Sequence, residues 1–310
     1  MRAVRMIEFG GPEVLVVTEV PDPEPGPGQV LIEVAAAAVV FVDTQVRAGG
    51  GPRRPELPVI PGNGVAGVIT RVGEGVGSEL IGAQVVSATG GSGGYAERAV
   101  TDAAGVIPVP PGLSLRDAAA LLADGRTALG LVRAAEPAAG EWVLVEAAGG
   151  GVGSLLVQLC VAAGARVIAA AGGPQKLALA GTFGAEVLVD TRPDWAASVP
   201  APVDLVFDGV GGEVGRAALS LVAPGGRFCV HGAASGSMTG TSGFPGEAIT
   251  LGALPRDPDS LRELAASALA EAAAGRLRPT IGQTFPLAEA AAAHTAIEAR
   301  ATIGKTLLIP

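Results

Sequence analysis

Residues Trp142 to Leu159 read WVLVEAAGGGVGSLLVQL, an apolar run, a glycine-rich turn and a second apolar run. A buried strand that passes through glycines into a helix leaves backbone N–H groups unsatisfied at the helix start. The helix dipole adds partial positive charge at the same place. A diphosphate can therefore be held there without a cationic side chain. Against the dinucleotide fingerprint G-x-G-x-x-G the turn reads Ala148-Gly149-Gly150-Gly151-Val152-Gly153, with Ala at the first position. In this frame Gly150 lets the phosphates approach the main chain, and Gly153 lets the helix close on the strand. Gly151 and Val152 complete the loop. The competing reading is a tight strand-to-helix turn with no ligand.

The next strand ends Ala169-Ala170-Ala171-Gly172-Gly173. A site for the unphosphorylated coenzyme places Asp or Glu near this point, about 20 residues beyond the glycines, to bond the ribose hydroxyls. No acid stands there. Lys176 follows Gly172 closely, and Arg192 comes after the third strand. A missing acid with two cations nearby favours a 2′-phosphate, and hence NADPH. Taken alone, Lys176 reads equally as a solvated lysine, and Arg192 as part of a polar loop.

The rest of the chain fits around this unit. It has 310 residues, with 47 Gly and 24 Pro, yet 49% are hydrophobic, enough to offset chain entropy. The length predicts two domains. Residues 2–9, 15–20, 30–39, 65–72 and 84–87 read as short strands cut by Pro/Gly clusters, the pattern of a small antiparallel barrel. Ser114 and Asp117 predict a capped helix over 115–123. From residue 142 strands and helices alternate: strands at 142–147, 166–171, 186–190, 204–208 and 226–230, and helices at 152–163 and 176–183. Continuous apolar strands between helices mean a parallel sheet covered on both faces. Asp257 and Pro258 start a further helix that Gly275 closes. A strand at 280–285, a helix at 287–300 and a strand at 305–309 end the chain and are predicted to return to the first domain. The fold class is α/β: a β-barrel domain from residues 1–122 and 256–310, and a doubly wound, Rossmann-type domain from 123–255.

Several functions are excluded or disfavoured. A net charge of −9 argues against nucleic acid as a partner. No apolar stretch reaches the length that spans a bilayer, and the sequence opens without a secretory leader, so no membrane role and a cytoplasmic location are expected. Only two cysteines and two histidines occur, Cys160, Cys229, His231 and His294, scattered along the chain; no metal site is expected.

The whole chain resembles the medium-chain dehydrogenase/reductase superfamily, and within it the zinc-free quinone oxidoreductases. The matching segments are FGGPEVL from Phe9, FVDTQVRAG from Phe41, PGNGVAGVI from Pro61, GGYAERAV from Gly93, AAGGGVGSLLVQL from Ala147, FDGVGG from Phe207 and HTAIEARATIGKTLLIP from His294. The resemblance implies a GroES-like catalytic domain around a Rossmann domain, NADPH as cofactor, a homodimer, and a small quinone or conjugated carbonyl as substrate. Zinc alcohol dehydrogenases of the superfamily carry a Cys before the Asp of the second segment and Gly-His-Glu in the third. This chain has Val40-Phe41-Val42-Asp43 and Gly62-Asn63-Gly64. The zinc-free relatives carry Asn and an aromatic where this chain has Val40 and Gln45. These positions line the family's substrate pocket, so Val40, Gln45 and Asn63 are the pocket candidates.

The resemblance also matches Lys176 to a phosphate-reading lysine and Thr127 to a threonine near the nicotinamide. His231 and Gly232 fall where the family backbone passes the nicotinamide, and Lys305 matches a base that reaches the pyrophosphate. Thr127 reads alternatively as a helix residue bonding its own turn, His231 as a partly buried histidine bonded to a carbonyl, and Lys305 as an exposed lysine. Hydride transfer to a plain ketone gains from a metal or a strong proton donor. No metal set, Tyr-Lys or Ser-His-Asp grouping stands in the sequence, and Tyr95 reads as a packing residue. The catalytic proton donor is unassigned. The acceptor should then be electrophilic by itself, as quinones and enones are, with Gln45, Arg47, Asn63 and Arg126 as pocket donors. Asp43 and Arg47 read alternatively as an ion pair or turn. The rival functions are a biosynthetic enoyl reductase and a non-catalytic NADPH-binding sensor or structural protein.

Overall fold

The computed structural model describes residues 1–192, 194–200 and 202–310. The chain divides into two compact units, Met1–Ala123 with Ala265–Pro310, and Asp124–Leu264.

The first unit starts with β1 (Arg2–Arg5) and β2 (Val16–Glu19), an antiparallel pair. Then come β3 (Gln29–Val39), α1 (Phe41–Arg47), β4 (Gly64–Val72), β5 (Gln84–Ala88), β6 (Arg98–Asp102) and β7 (Ile107–Pro108). β3 pairs antiparallel with β4 along one edge and with β6 along the start of the other. Val30, Ile32 and Val34 alternate along β3 and enter a core shared with Val65, Ile69, Val85 and Tyr95.

α2 (Leu115–Ala135) begins where the Ser114–Asp117 pair predicts: the Asp117 N–H donates to Ser114 Oγ at 3.1 Å. It runs well past the predicted residue 123. Gly125 is tolerated inside an otherwise Ala/Leu-rich helix. The helix stops only where Glu136 turns left-handed (φ 46°), just before Pro137.

The second unit is a six-stranded parallel sheet. Its strands are β8 (Trp142–Glu146), β9 (Arg166–Ala171), β10 (Val187–Asp190), β11 (Val203–Asp208), β12 (Val222–Val230) and β13 (Glu247–Thr250). Their spatial order is β10-β9-β8-β11-β12-β13. This is the doubly wound order, with the chain reversing direction across the sheet beside β8. The connecting helices are α3 (Gly151–Ala162), α4 (Pro174–Thr182) and α5 (Gly212–Leu219), followed by α6 (Pro258–Ala273). The sequence reading lacked α5. Its eight residues include two glycines and two alanines in a sequence of mixed character, and only the need for a crossover between parallel strands demands it.

The chain ends with β14 (Ile281–Pro286), α7 (Ala290–Glu298) and β15 (Lys305–Ile309). β14 pairs parallel with β15, and β15 pairs antiparallel with β3, so the terminal segment joins the first unit as predicted. Among the described residues no helix is long and apolar enough to cross a membrane.

The core of the second unit contains Leu144, Ile168, Val206 and Phe228. Phe228 is fully buried, with its ring 6.2 Å from that of Phe244. Phe228→Ala should cost about 3–5 kcal/mol of unfolding free energy, read from the denaturant midpoint at unchanged slope.

Candidate active site

In the second unit β8 ends at Glu146, and Ala147 takes the left-handed conformation (φ 51°). Gly150 is the N-cap of α3 and has no side-chain oxygen to offer. Ser154 N–H makes the bond back to Gly150 O at 3.0 Å. The N–H groups of Gly151, Val152 and Gly153 precede it at the open end of the helix. A Cβ at Gly153 would lie 2.2 Å from Ala147 O, so only glycine allows α3 to close on the turn. A Cβ at Gly149 would lie 2.4 Å from Lys176 Cβ. Lys176, on the first turn of α4, thus packs directly over the glycine turn, as a phosphate-reading lysine must. Asp124 fits against Gly151, whose Cβ would meet Asp124 Oδ2 at 1.9 Å. That buried acid was invisible in the sequence, because nothing in GRTAL and its flanks ties α2 to the loop.

β9 ends at Ala171 without an acid, followed by Gly172. In register beside Ala171 stands Asp190 of β10, an acid on the neighbouring strand. Its Oδ2 is bonded by Arg192 Nε at 3.1 Å, so Arg192 balances Asp190 while remaining 81% exposed. Thr127 and Arg126 lie half-buried on α2. Burial lowers the Arg126 pKa, and Asp124 opposes that shift.

His231 follows β12. Its N–H donates to Asp208 O at 2.9 Å, and Gly232 N–H donates to the same oxygen at 3.1 Å. A Cβ at Gly209 would lie 3.0 Å from His231 Cε1, which places the ring over the end of β11. Burial pushes this imidazole down to about 4, so it is neutral. Its Nε2 is sealed from solvent and has no hydrogen-bond partner.

In the first unit Val40 is the N-cap of α1, and its N–H donates to Asp43 Oδ2 at 3.0 Å. Tyr95 O–H also donates to Asp43 Oδ2, at 3.0 Å, and contacts His294 Nε2 at 3.1 Å. All three side chains are buried. Tyr95 is therefore more than a packing residue: it joins an acid on α1 to a histidine on α7. Desolvation raises the Asp43 pKa, while the Val40 and Tyr95 bonds and the charges of Lys305 and Arg53 oppose it.

The expected Asp43–Arg47 ion pair is not formed. Arg47 turns instead to Glu298 of α7 and is bonded through both terminal nitrogens. A narrow recess lined by Asp43, Arg47, Arg53, Gly62 and Ser92 opens beside this cluster. Gln45 lies half-buried on α1. Asn63 Oδ1 accepts the Gly91 N–H at 2.6 Å and so braces the 90–91 turn. Lys305 opens β15 with only 3% of its surface exposed, which overturns the reading of an exposed lysine.

Among the described residues no group of three or more His, Cys, Asp or Glu side chains is placed to hold a metal ion. Both cysteines are buried. Val40 and the Gly62-Asn63-Gly64 segment offer none of the donors that a catalytic zinc requires. The residues present do not fit that metal.

Residues 26–111 match the family model for the alcohol dehydrogenase GroES-like domain, and residues 183–308 match that for zinc-binding dehydrogenases. A quinone oxidoreductase of Pseudomonas aeruginosa is 34% identical, over 100% of this chain and 99% of its own. The structure of the Escherichia coli quinone oxidoreductase complexed with NADPH superposes with a TM-score of 0.91 at 29% identity, over 100% of both chains. A mycobacterial protein complexed with NADPH gives 0.89 at 33% identity, again over 100% of both chains. The chain belongs to the medium-chain dehydrogenase/reductase superfamily, among its quinone oxidoreductases.

Removing the Tyr95 hydroxyl leaves Asp43 and His294 buried without their shared partner. Tyr95→Phe should lower the unfolding free energy by about 1–3 kcal/mol, read by chemical denaturation. His294 adds a pH dependence. Burial, assisted by the Arg47 charge, holds its pKa at about 3 against an ordinary 6.5. The unfolded imidazole takes a proton that the folded one refuses, so stability is present above pH 6.5 and is lost as pH falls toward 3. The denaturation midpoint of His294→Gln should decline less over that acid range than that of the wild type.

Proposed function

We propose that this chain is a metal-independent reductase that uses NADPH to reduce a quinone or an α,β-unsaturated carbonyl. The full-length likeness to quinone oxidoreductases, one of them solved with NADPH, carries the reading. The local chemistry supports it. The open N–H groups of Gly151, Val152 and Gly153 suit a diphosphate, and Gly149 and Gly153 let Lys176 and the Ala147 carbonyl pack tightly against the loop that carries them. β9 ends without an acid, Lys176 covers Gly149, and Arg192 already balances Asp190. That balance of charge favours the 2′-phosphorylated coenzyme.

When bound, the nicotinamide supplies a hydride. The chain's own residues bind and orient. In the second unit we assign Gly150, Gly151, Val152, Gly153, Gly172, Lys176 and Arg192 to the diphosphate and 2′-phosphate ends, and Thr127, His231 and Gly232 to the nicotinamide end. In the first unit we assign Val40, Gln45 and Asn63 to the acceptor and Lys305 to the cofactor's phosphates. His231, held neutral, can take part in a hydrogen bond without bringing a charge. An acceptor that spreads the arriving negative charge into its own oxygens needs no metal, and water can deliver the proton. The resemblance further supports a homodimer and a cytoplasmic enzyme.

Cofactor oxidation followed by absorbance over a panel of quinones and enones tests the reading. Turnover with at least one class is expected, and silence with both rejects it. Lys176→Glu should raise the KM for NADPH about ten- to a hundredfold while leaving that for NADH nearly unchanged, as expected from losing one charge-assisted contact to a phosphate. Equal losses with both coenzymes would remove Lys176 from the 2′-phosphate.

A further inference from the structure

Glu146 and Asp208 close the neighbouring parallel strands β8 and β11, one residue beyond the paired Val145 and Phe207. Both are fully buried. Asp208 Oδ1 accepts N–H bonds from Val210 at 2.9 Å and Gly211 at 2.6 Å. Asp208 Oδ2 and both carboxyl oxygens of Glu146 are sealed from solvent, and the nearby Val210 N–H only partly offsets the rise in the Glu146 pKa that burial and Asp208 cause. The register of β8 and β11 sets the two side chains next to each other on one face of the sheet, where the charge of Asp208 acts on Glu146.

Their surroundings hold no counter-charge. From the end of β12 comes the neutral imidazole of His231. From the following loop comes the buried hydroxyl of Thr239, itself without a partner. Thr239 Oγ1 and Asp208 Oδ2 pack over Gly215 of α5, where a Cβ would meet them at 2.0 Å and 2.5 Å. Among the described residues, Asp208 is the one charged group acting on Glu146. Two carboxylates in contact, out of water and without a cation, cannot both be ionised. The two backbone N–H bonds favour the anion on Asp208, which leaves the proton on Glu146. Burial and Asp208 together push the Glu146 pKa up to about 10.

We propose that Glu146 and Asp208 share a single proton, and that this hydrogen bond is a positioning device for the cofactor loop. Ala147, the left-handed residue that launches the glycine turn, follows Glu146 directly. On the other side, Asp208 organises the Val210–Gly211 turn through its N–H bonds. The shared proton thus ties the start of the diphosphate loop to the end of β11. Losing it would set two carboxylates against each other beneath that loop. Glu146 and Asp208 touch neither cofactor nor acceptor and act through the backbone. The loop's role as a cofactor site rests on the function proposed above; the shared proton does not.

The first test uses the protein without cofactor. The folded pair keeps a proton that the unfolded Glu146 releases above its ordinary 4.5. Wild-type stability therefore falls as pH rises from there toward 10, whereas Glu146→Gln, whose amide donates to Asp208 at every pH, lacks this loss. The folding equilibrium of Glu146→Gln should gain on that of the wild type by about tenfold per pH unit between about pH 6 and about pH 9. A gap that stays constant with pH overturns the shared proton. Asp208→Asn, whose amide donates to an ionised Glu146, should flatten the profile in the same way and serves if Glu146→Gln does not fold. The second test is kinetic. The wild-type KM for NADPH should climb on an alkaline limb that Glu146→Gln removes, with kcat little altered. Identical limbs in both proteins overturn the positioning role. Absence of NADPH binding by either protein rejects the cofactor assignment alone, and the denaturation result still decides the proton.

Discussion

In the second unit α3 closes on the turn before it, where Gly153 lies against the carbonyl of Ala147. Much else follows from that contact. A side chain there would force the helix outward, and its first N–H groups would no longer converge on one point. Gly150 contributes an extended N-cap with no side-chain oxygen, so nothing internal uses up those donors. Gly149 lets Lys176 lie across the turn, which brings a cation to a loop that carries none itself. The site is thus made largely by removing atoms. Three positions lacking a Cβ supply room, direction and partial positive charge at one place.

Each unit also buries carboxyl groups away from full counter-charges. In the first, Asp43 is served by one backbone N–H and one tyrosine hydroxyl, and a neutral histidine completes the row. In the second, two backbone N–H groups serve Asp208, while the carboxyl group beside Glu146 is that of another acid. The two solutions differ in what they demand of the solvent. The first meets a buried acid with hydrogen-bond donors and the charges of Lys305 and Arg53. The second is content only while a proton is retained. Arg47 and Glu298 add a conventional ion pair to the first unit, joining α1 to α7.

The glycine turn was legible because its physics is local. A strand, a turn without side chains and a helix occupy consecutive residues, and each follows from its own composition. The same holds for the Ser114–Asp117 cap and for β15, where five residues ending in the apolar Leu307-Leu308-Ile309 stand between a glycine and a proline. What escaped is non-local. Asp43 and Arg47 read as a possible pair by proximity in sequence, but Asp43 is met by Tyr95, in the segment before β6, and Arg47 by Glu298 of α7, both far along the chain. Asp124 and Asp190 carry no local signal of a role, and only folding brings them to Gly151 and Ala171. The Glu146–Asp208 pair did leave a trace, since each acid ends a run of buried apolar residues. A charged group at such a point is costly, and that cost was the available clue. α5 stayed hidden because its short, glycine-containing sequence has little helical bias of its own.

The terminal strand β15 lies along β3, on the same edge that β6 occupies further back. Residues 37–39 therefore have no strand on that side until residues 306–308 have been made. During synthesis the Rossmann sheet, continuous in the chain, emerges complete while the barrel still waits for its closing strand. The unit that starts first is the one that finishes last, and a nascent chain exposes an open β-edge throughout the making of its neighbour.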